Sequence, residues 1–90
     1  MIEVSIPWDG TDDPDGNVQH IAEHGITVEE VEEVLLDRNS EDTISRSSGR
    51  PITFGYTASG RYLAVVWEHI DDDPLTIYPI TAYDAPERRR

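Results

Sequence analysis

The ninety-residue chain contains no cysteine and no lysine, and it has no long apolar run. Without cysteine there can be no disulfide and no thiolate cage for zinc, an absence that fits a cytoplasmic protein. No apolar stretch approaches the roughly 18–20 residues that span a bilayer, and the opening MIEVSIPWDG lacks the shape of a signal peptide, so no membrane association is expected. Every basic residue is arginine, and there are only 7 against 19 acids, a net charge of −12. The two halves of the chain are unequal. Residues 1–45 carry 13 Asp/Glu and a single arginine, Arg38, whereas residues 46–90 carry 6 acids and 6 arginines. So acidic a chain is a poor non-specific ligand for nucleic acid, whose phosphates are bound by neutralising cations. A local arginine site could still hold a phosphate, and a basic protein partner is the other natural inference.

The length suits one small domain over residues 1–90, with a single modest core. Ile2, Val4 and Ile6 alternate with polar residues as a short strand that Pro7 ends. After Trp8, DGTDDPDG reads as an acidic loop, with Asp15 as N-cap of a first helix that buries Val18, Ile21 and Ala22 and stops at Gly25. Thr27 and Glu30 form a capping box for a second helix. At about 100° per residue, Val28, Val31, Val34 and Leu35 share one side of it, while Glu29, Glu30, Glu33 and Asp37 fall on the other. That acidic side is either a solvated face or a docking surface for a basic partner.

RNSEDTISRSSGRP reads as a loop. Ile52, Phe54 and Tyr56 then alternate in a strand, and Ala58-Ser59-Gly60 turns tightly into a nearly continuous apolar run, Tyr62 to Ile70, expected as a central strand buried on both faces. Asp71-Asp72-Asp73-Pro74 turns the chain again, and Leu75 to Tyr83 returns as a third strand with a bulge or an edge at Pro79, which cannot donate to a ladder. Asp84 and Glu87 have the spacing of another helix start. The expected fold is α+β, with two N-terminal helices packed on a small antiparallel sheet made of a three-strand meander plus the short N-terminal strand.

HIAEH, residues 20–24, has the spacing of an inverted zinc-peptidase motif, with two imidazoles on one helix face. A working zinc site also needs a third ligand and supporting partners. His69 is the only other histidine, the helix is short, and no metal or other cofactor is expected.

Trp8-Asp9, then Asn17, Val18, His20, His24-Gly25-Ile26-Thr27 and Glu29-Glu30-Val31, resembles the N-terminal signature of the BrnT-type toxins. The likeness continues through Gly55-Tyr56-Thr57, Gly60-Arg61-Tyr62-Leu63, Ile80-Thr81-Ala82 and Glu87-Arg88-Arg89, in order and over nearly the whole chain. The resemblance implies a RelE-like fold and a metal-independent endoribonuclease that inhibits translation. It also implies a ribbon-helix-helix antitoxin as partner, in a pair that binds its own promoter. Attack of a ribose 2′-OH on phosphate needs a base, an acid and cations for the developing charge. Arg61, in the family's Gly-Arg position, is the first candidate cation, joined by Arg50, with Arg46 and Arg88 as further RNA contacts. The chain departs from the family pattern in having Ser47-Ser48-Gly49 where an acid is usual and Tyr83 where an arginine is usual. Tyr83, His69 and Glu68 remain as candidates for proton transfer. Two functions are therefore expected: a ribonuclease toxin of a toxin-antitoxin pair, or a catalytically silent relative that binds a basic protein through Glu29, Glu30, Glu33 and Asp37.

Overall fold

The computed structural model describes residues 4–87, and the first three residues and Arg88–Arg90 lie outside what it describes. Two helices and five strands follow the order β1 (Val4–Ser5), α1 (Asn17–Glu23), α2 (Val28–Leu36), β2 (Glu41–Ile44), β3 (Pro51–Tyr56), β4 (Tyr62–Asp72) and β5 (Leu75–Asp84). Together they form a compact α+β domain with a radius of gyration of 12.7 Å. The strands make one sheet in the order β1-β5-β4-β3-β2. The meander β3-β4-β5 is antiparallel as expected, but β1 joins β5 in parallel, so the sheet is mixed.

The fifth strand is the main correction. Glu41–Ile44 lies within the segment read as a loop, yet it pairs antiparallel with β3 from Glu41↔Phe54 to Ile44↔Pro51. All four of its residues are exposed, so it has no half-buried alternation to betray it. Main-chain pairing holds it, helped by a side-chain relay on the helix side of the sheet. The Trp67 indole donates to Thr53 Oγ1 at 2.8 Å, and the Thr53 hydroxyl donates to Asp42 at 2.6 Å.

Helix α1 begins one residue later than the Asp15 cap implies. Its N-cap is Gly16, which has no side chain to offer. The capping work falls instead to Asp9, whose carboxylate accepts the Asn17 N–H at 3.0 Å. Ile21 is buried as expected, but Ala22 is exposed and the fully buried partner is Asn17. Its amide accepts from Asp9 N at 2.9 Å and donates to the carbonyls of Pro7 and Pro79 at 3.1 and 2.9 Å. One buried polar side chain thus ties the N-terminal loop, α1 and β5 together. At the other end, Gly25 stops the helix as the sequence predicts. With φ of 71° it turns the chain so that Gly25 N and Ile26 N donate back to Ala22 O and Ile21 O. Helix α2 carries the expected capping box, Thr27 N to Glu30 at 3.0 Å and Glu30 N to Thr27 Oγ1 at 3.2 Å.

Both helices lie on one face of the sheet. Ile21, Ile26, Val31 and Val34 pack on Leu63, Val65 and Ala82. Register places Thr53 beside Val65 and Gly55 beside Leu63 on this helix face. The other face carries Ile52, Phe54 and Tyr56 of β3, Tyr62, Ala64 and Val66 of β4, and Thr81 and Tyr83 of β5. No described helix covers it. Strand β4 is central, but it is buried on both faces only at Leu63–Val65 and becomes exposed from Glu68 onward. Asp71 and Asp72 belong to that strand rather than to the turn. Opposite Val66 and Trp67 the register skips from Thr81 to Pro79, so that of the bulge or edge expected at the proline it is the bulge that forms. The helix start read at Asp84 is not formed within the described residues. Strand β5 runs through Asp84, and Ala85–Glu87 are irregular.

Helix α2 approaches β3 closely because position 55 has no side chain. A Cβ there would lie 2.0 Å from Ser40 Oγ and 3.2 Å from Val34 Cγ1, while Ser40 Oγ is held by donation to Val34 O at 2.7 Å. Replacing Gly55 by alanine is expected to lower unfolding stability by about 1–3 kcal/mol through overpacking, read as a reduced urea midpoint at unchanged slope.

Candidate functional site

Arg61 opens strand β4 after the tight Thr57–Gly60 turn, in which Thr57 N donates to Arg61 O at 2.8 Å and Arg61 N donates to Thr57 Oγ1 at 3.1 Å. The turn aims its side chain at the gap between the end of α1, the start of α2 and the end of β5. Nε and Nη2 donate to the two oxygens of Asp84 at 2.8 and 2.9 Å, the planar fork meeting a carboxylate. Nη1 donates to Gly25 O at 2.9 Å and to the Glu30 carboxylate at 3.1 and 3.2 Å, and Nη2 reaches His24 O at 3.5 Å. The guanidinium therefore caps the carbonyl end of α1, where a cation is favoured. It also braces the capping carboxylate of α2 and anchors β5.

The electrostatics follow from that arrangement. The Asp84 carboxylate, hydrogen-bonded to Arg61, is held below its ordinary pKa of 3.8. Donation to Asp84 first and then to Glu30, against some desolvation, pushes Arg61 further up from an already high value. Two carboxylates face one guanidinium, so the cluster is net negative. A phosphate would have to displace Asp84 or Glu30 to reach Arg61.

The remaining candidates are scattered. Arg46 and Arg50 are exposed in the β2–β3 connection, where Ser45 N donates to Arg50 O at 2.8 Å. The six residues of β3 separate them from Arg61, about 20 Å of strand. His69, at the same end of the sheet as Arg50, pairs with Asp72 at 2.9 Å on the exposed β4–β5 hairpin. Glu68 is exposed next to it. Tyr83 stands opposite Ala64 on the helix-free face, the reverse side from the Asp84 carboxylate that holds Arg61. Arg88 lies outside the described residues.

The acidic side of α2 is partly engaged. Glu29 and Glu33 are exposed, but Glu33 accepts the Ala58 N–H at 3.1 Å, Asp37 accepts the Asn39 N–H at 2.9 Å, and Glu30 belongs to the Arg61 cluster. Glu32, outside the predicted set, accepts the Trp8 indole N–H at 3.0 Å. His20 is half-buried and His24 exposed. Among the described residues no three His, Asp or Glu side chains converge as metal ligands, and no helix is long and apolar enough to cross a membrane.

Sequence patterning missed an aromatic cluster on the helix-free face. Phe54 and Tyr62 stack with centroids 6.2 Å apart, Tyr56 and Tyr62 tilt together at 4.7 Å, and Tyr56 OH donates to Glu87 at 2.9 Å. The signal was present in the alternation Ile52-Phe54-Tyr56, folded back by Ala58-Ser59-Gly60 onto Tyr62. A second polar joint, Tyr78 OH donating to Asp9, pushes the Tyr78 pKa up to about 12 and holds Asp9 below 3.8. No protein family, curated protein or solved structure matches the chain.

Replacing Arg61 by methionine is expected to lower the urea midpoint and to flatten the acid limb of the stability profile. Because the folded Asp84 pKa lies below its unfolded value, its contribution is complete above pH 3.8 and is lost as pH falls through the folded value. The variant lacks that share, so its stability falls less steeply below pH 4 than that of the parent chain. Tyr78 gives the opposite limb. Its raised pKa makes the fold lose stability as pH climbs from 10 towards 12. Ultraviolet titration should resolve that late tyrosine step, and Asp9→Asn should move it down.

Proposed function

We propose that the chain is a BrnT-like domain that keeps the fold as a binding module and engages a basic protein partner, without ribonuclease chemistry. The observation that carries this reading is the engagement of Arg61. The guanidinium that would have to meet phosphate is already tied to Asp84, Glu30 and the end of α1. Arginine stabilises a phosphorane only if its fork is free to face the equatorial oxygens. Arg50 and His69 stand at the far end of the sheet and Tyr83 on its other face, so base, acid and cation do not converge.

Two helices on one side of an antiparallel meander are what the BrnT resemblance implies, and the Trp8-Asp9 and Asn17 positions it rests on have a clear role in the fold. Asp9 and Asn17 build the joint between N-terminal loop, α1 and β5. A relative could keep those residues for folding alone. The net charge of −12 then supports a partner rich in arginine and lysine, such as a ribbon-helix-helix antitoxin, and disfavours RNA through long-range repulsion.

Mixed RNA incubated in EDTA with the purified protein at high concentration should remain intact. An arginine-rich peptide should bind, with affinity falling as salt is raised. RNA cleavage that survives chelation and is lost in Arg50→Ala would overturn the reading in favour of a toxin.

A further inference from the structure

The helix-free face of the sheet ends in a cleft of about 290 Å³ lined by Glu41, Phe54, Tyr62, Pro86 and Glu87. Its size lies at the lower end of small-ligand sites, roughly 300 Å³ and upward. Three features of its walls define a ligand. The first is a π surface, the stacked pair Phe54 and Tyr62. The second is charge. Glu41, on edge strand β2, and Glu87, beyond the end of β5, are both exposed acids lining the cleft, and no cation is among the described residues that line it. The third is order. Tyr56 OH fixes Glu87 at 2.9 Å, and Ala85 N donates to Tyr62 O at 3.0 Å, holding the segment after β5 over the aromatic strands.

We propose that this cleft is the binding site for an arginine side chain of a basic partner protein, whose guanidinium lies against the Phe54/Tyr62 surface and pairs with Glu41 and Glu87. This rests on the binding-module reading and adds the place and the chemistry of recognition. A planar guanidinium suits the site better than an ammonium. It is weakly hydrated, stacks on aromatic faces and presents a fork to carboxylates, whereas lysine brings a compact, strongly hydrated charge. An aromatic sheet surface is also what stacks the bases of single-stranded RNA, but two carboxylates at the rim oppose a phosphate chain. The site is not the acidic side of α2, where Glu30, Glu33 and Asp37 already hold groups of the chain itself.

The test uses the full chain and two peptides, one of arginines spaced by glycine and the same sequence with lysine, titrated by calorimetry. The arginine peptide should bind more tightly than the lysine peptide. Glu41→Gln with Glu87→Gln should weaken it by roughly tenfold or more, as should Phe54→Leu, which keeps an apolar wall but removes the ring quadrupole. Glu29→Gln with Glu33→Gln, on α2, should leave at least most of the affinity. Both glutamates of the cleft are exposed, so the Gln pair tests the site even if Phe54→Leu fails to fold. Peptide binding that the cleft variants leave unchanged and the α2 variants abolish would overturn this site while the binding-module reading stands. Absence of binding by the unaltered protein would overturn both. Binding of a single-stranded RNA hexamer that is lost in Phe54→Leu would assign the aromatic face to nucleic acid instead.

Discussion

Three chain segments converge where Arg61 enters, and each would be left incomplete without it. The end of α1 points carbonyl oxygens at the gap, the start of α2 places the capping Glu30 there, and β5 ends on Asp84. Two carboxylates and the negative end of a helix so close together would repel one another, and the guanidinium turns that repulsion into a joint. Through it the order of the sheet and the placement of both helices are linked, because β4, β5, α1 and α2 meet at one side chain. The same commitment leaves the guanidinium facing carboxylates and helix carbonyls rather than open solvent.

The other end of α1 is closed by an uncharged group. Asn17 is entirely buried and uses both ends of its amide to join the N-terminal loop to β5. Asp9 completes the joint by accepting from Asn17 N and from Tyr78. The helices and sheet enclose a small aliphatic core, whose packing depends on Gly55 letting α2 lie close to β3. Polar connections at the rim and methyl groups in the middle share the task of holding a ninety-residue chain together.

Much of this was legible because periodicity and capping are local. The capping box at Thr27, the stop at Gly25, the meander and the bulge at Pro79 all follow from residues within a few positions of each other. What escaped was decided at a distance. Strand β2 has no buried face, so only its pairing with β3 and the Trp67–Thr53–Asp42 relay define it. Asn17 looks like an exposed helix-start residue until Pro7 and Pro79 are brought to it. The site residues were chosen for their chemistry one at a time. Arg61 was singled out as a candidate cation for phosphate, whereas its partners Glu30 and Asp84 stand 31 and 23 positions away, beyond the reach of spacing arguments. The stacking of Phe54 with Tyr62 was within reach, since the turn between their strands was read correctly.

Strand β2 leaves one further mark on the molecule. As the outermost strand on its side it offers unpaired main-chain groups, the usual invitation for another chain to continue the sheet. It is only four residues long and carries Glu41 and Asp42 side by side, while the opposite border is the two-residue β1. A second copy approaching β2 edge to edge would bring two acidic borders together against their mutual repulsion. The sheet thus discourages its own extension into fibrils.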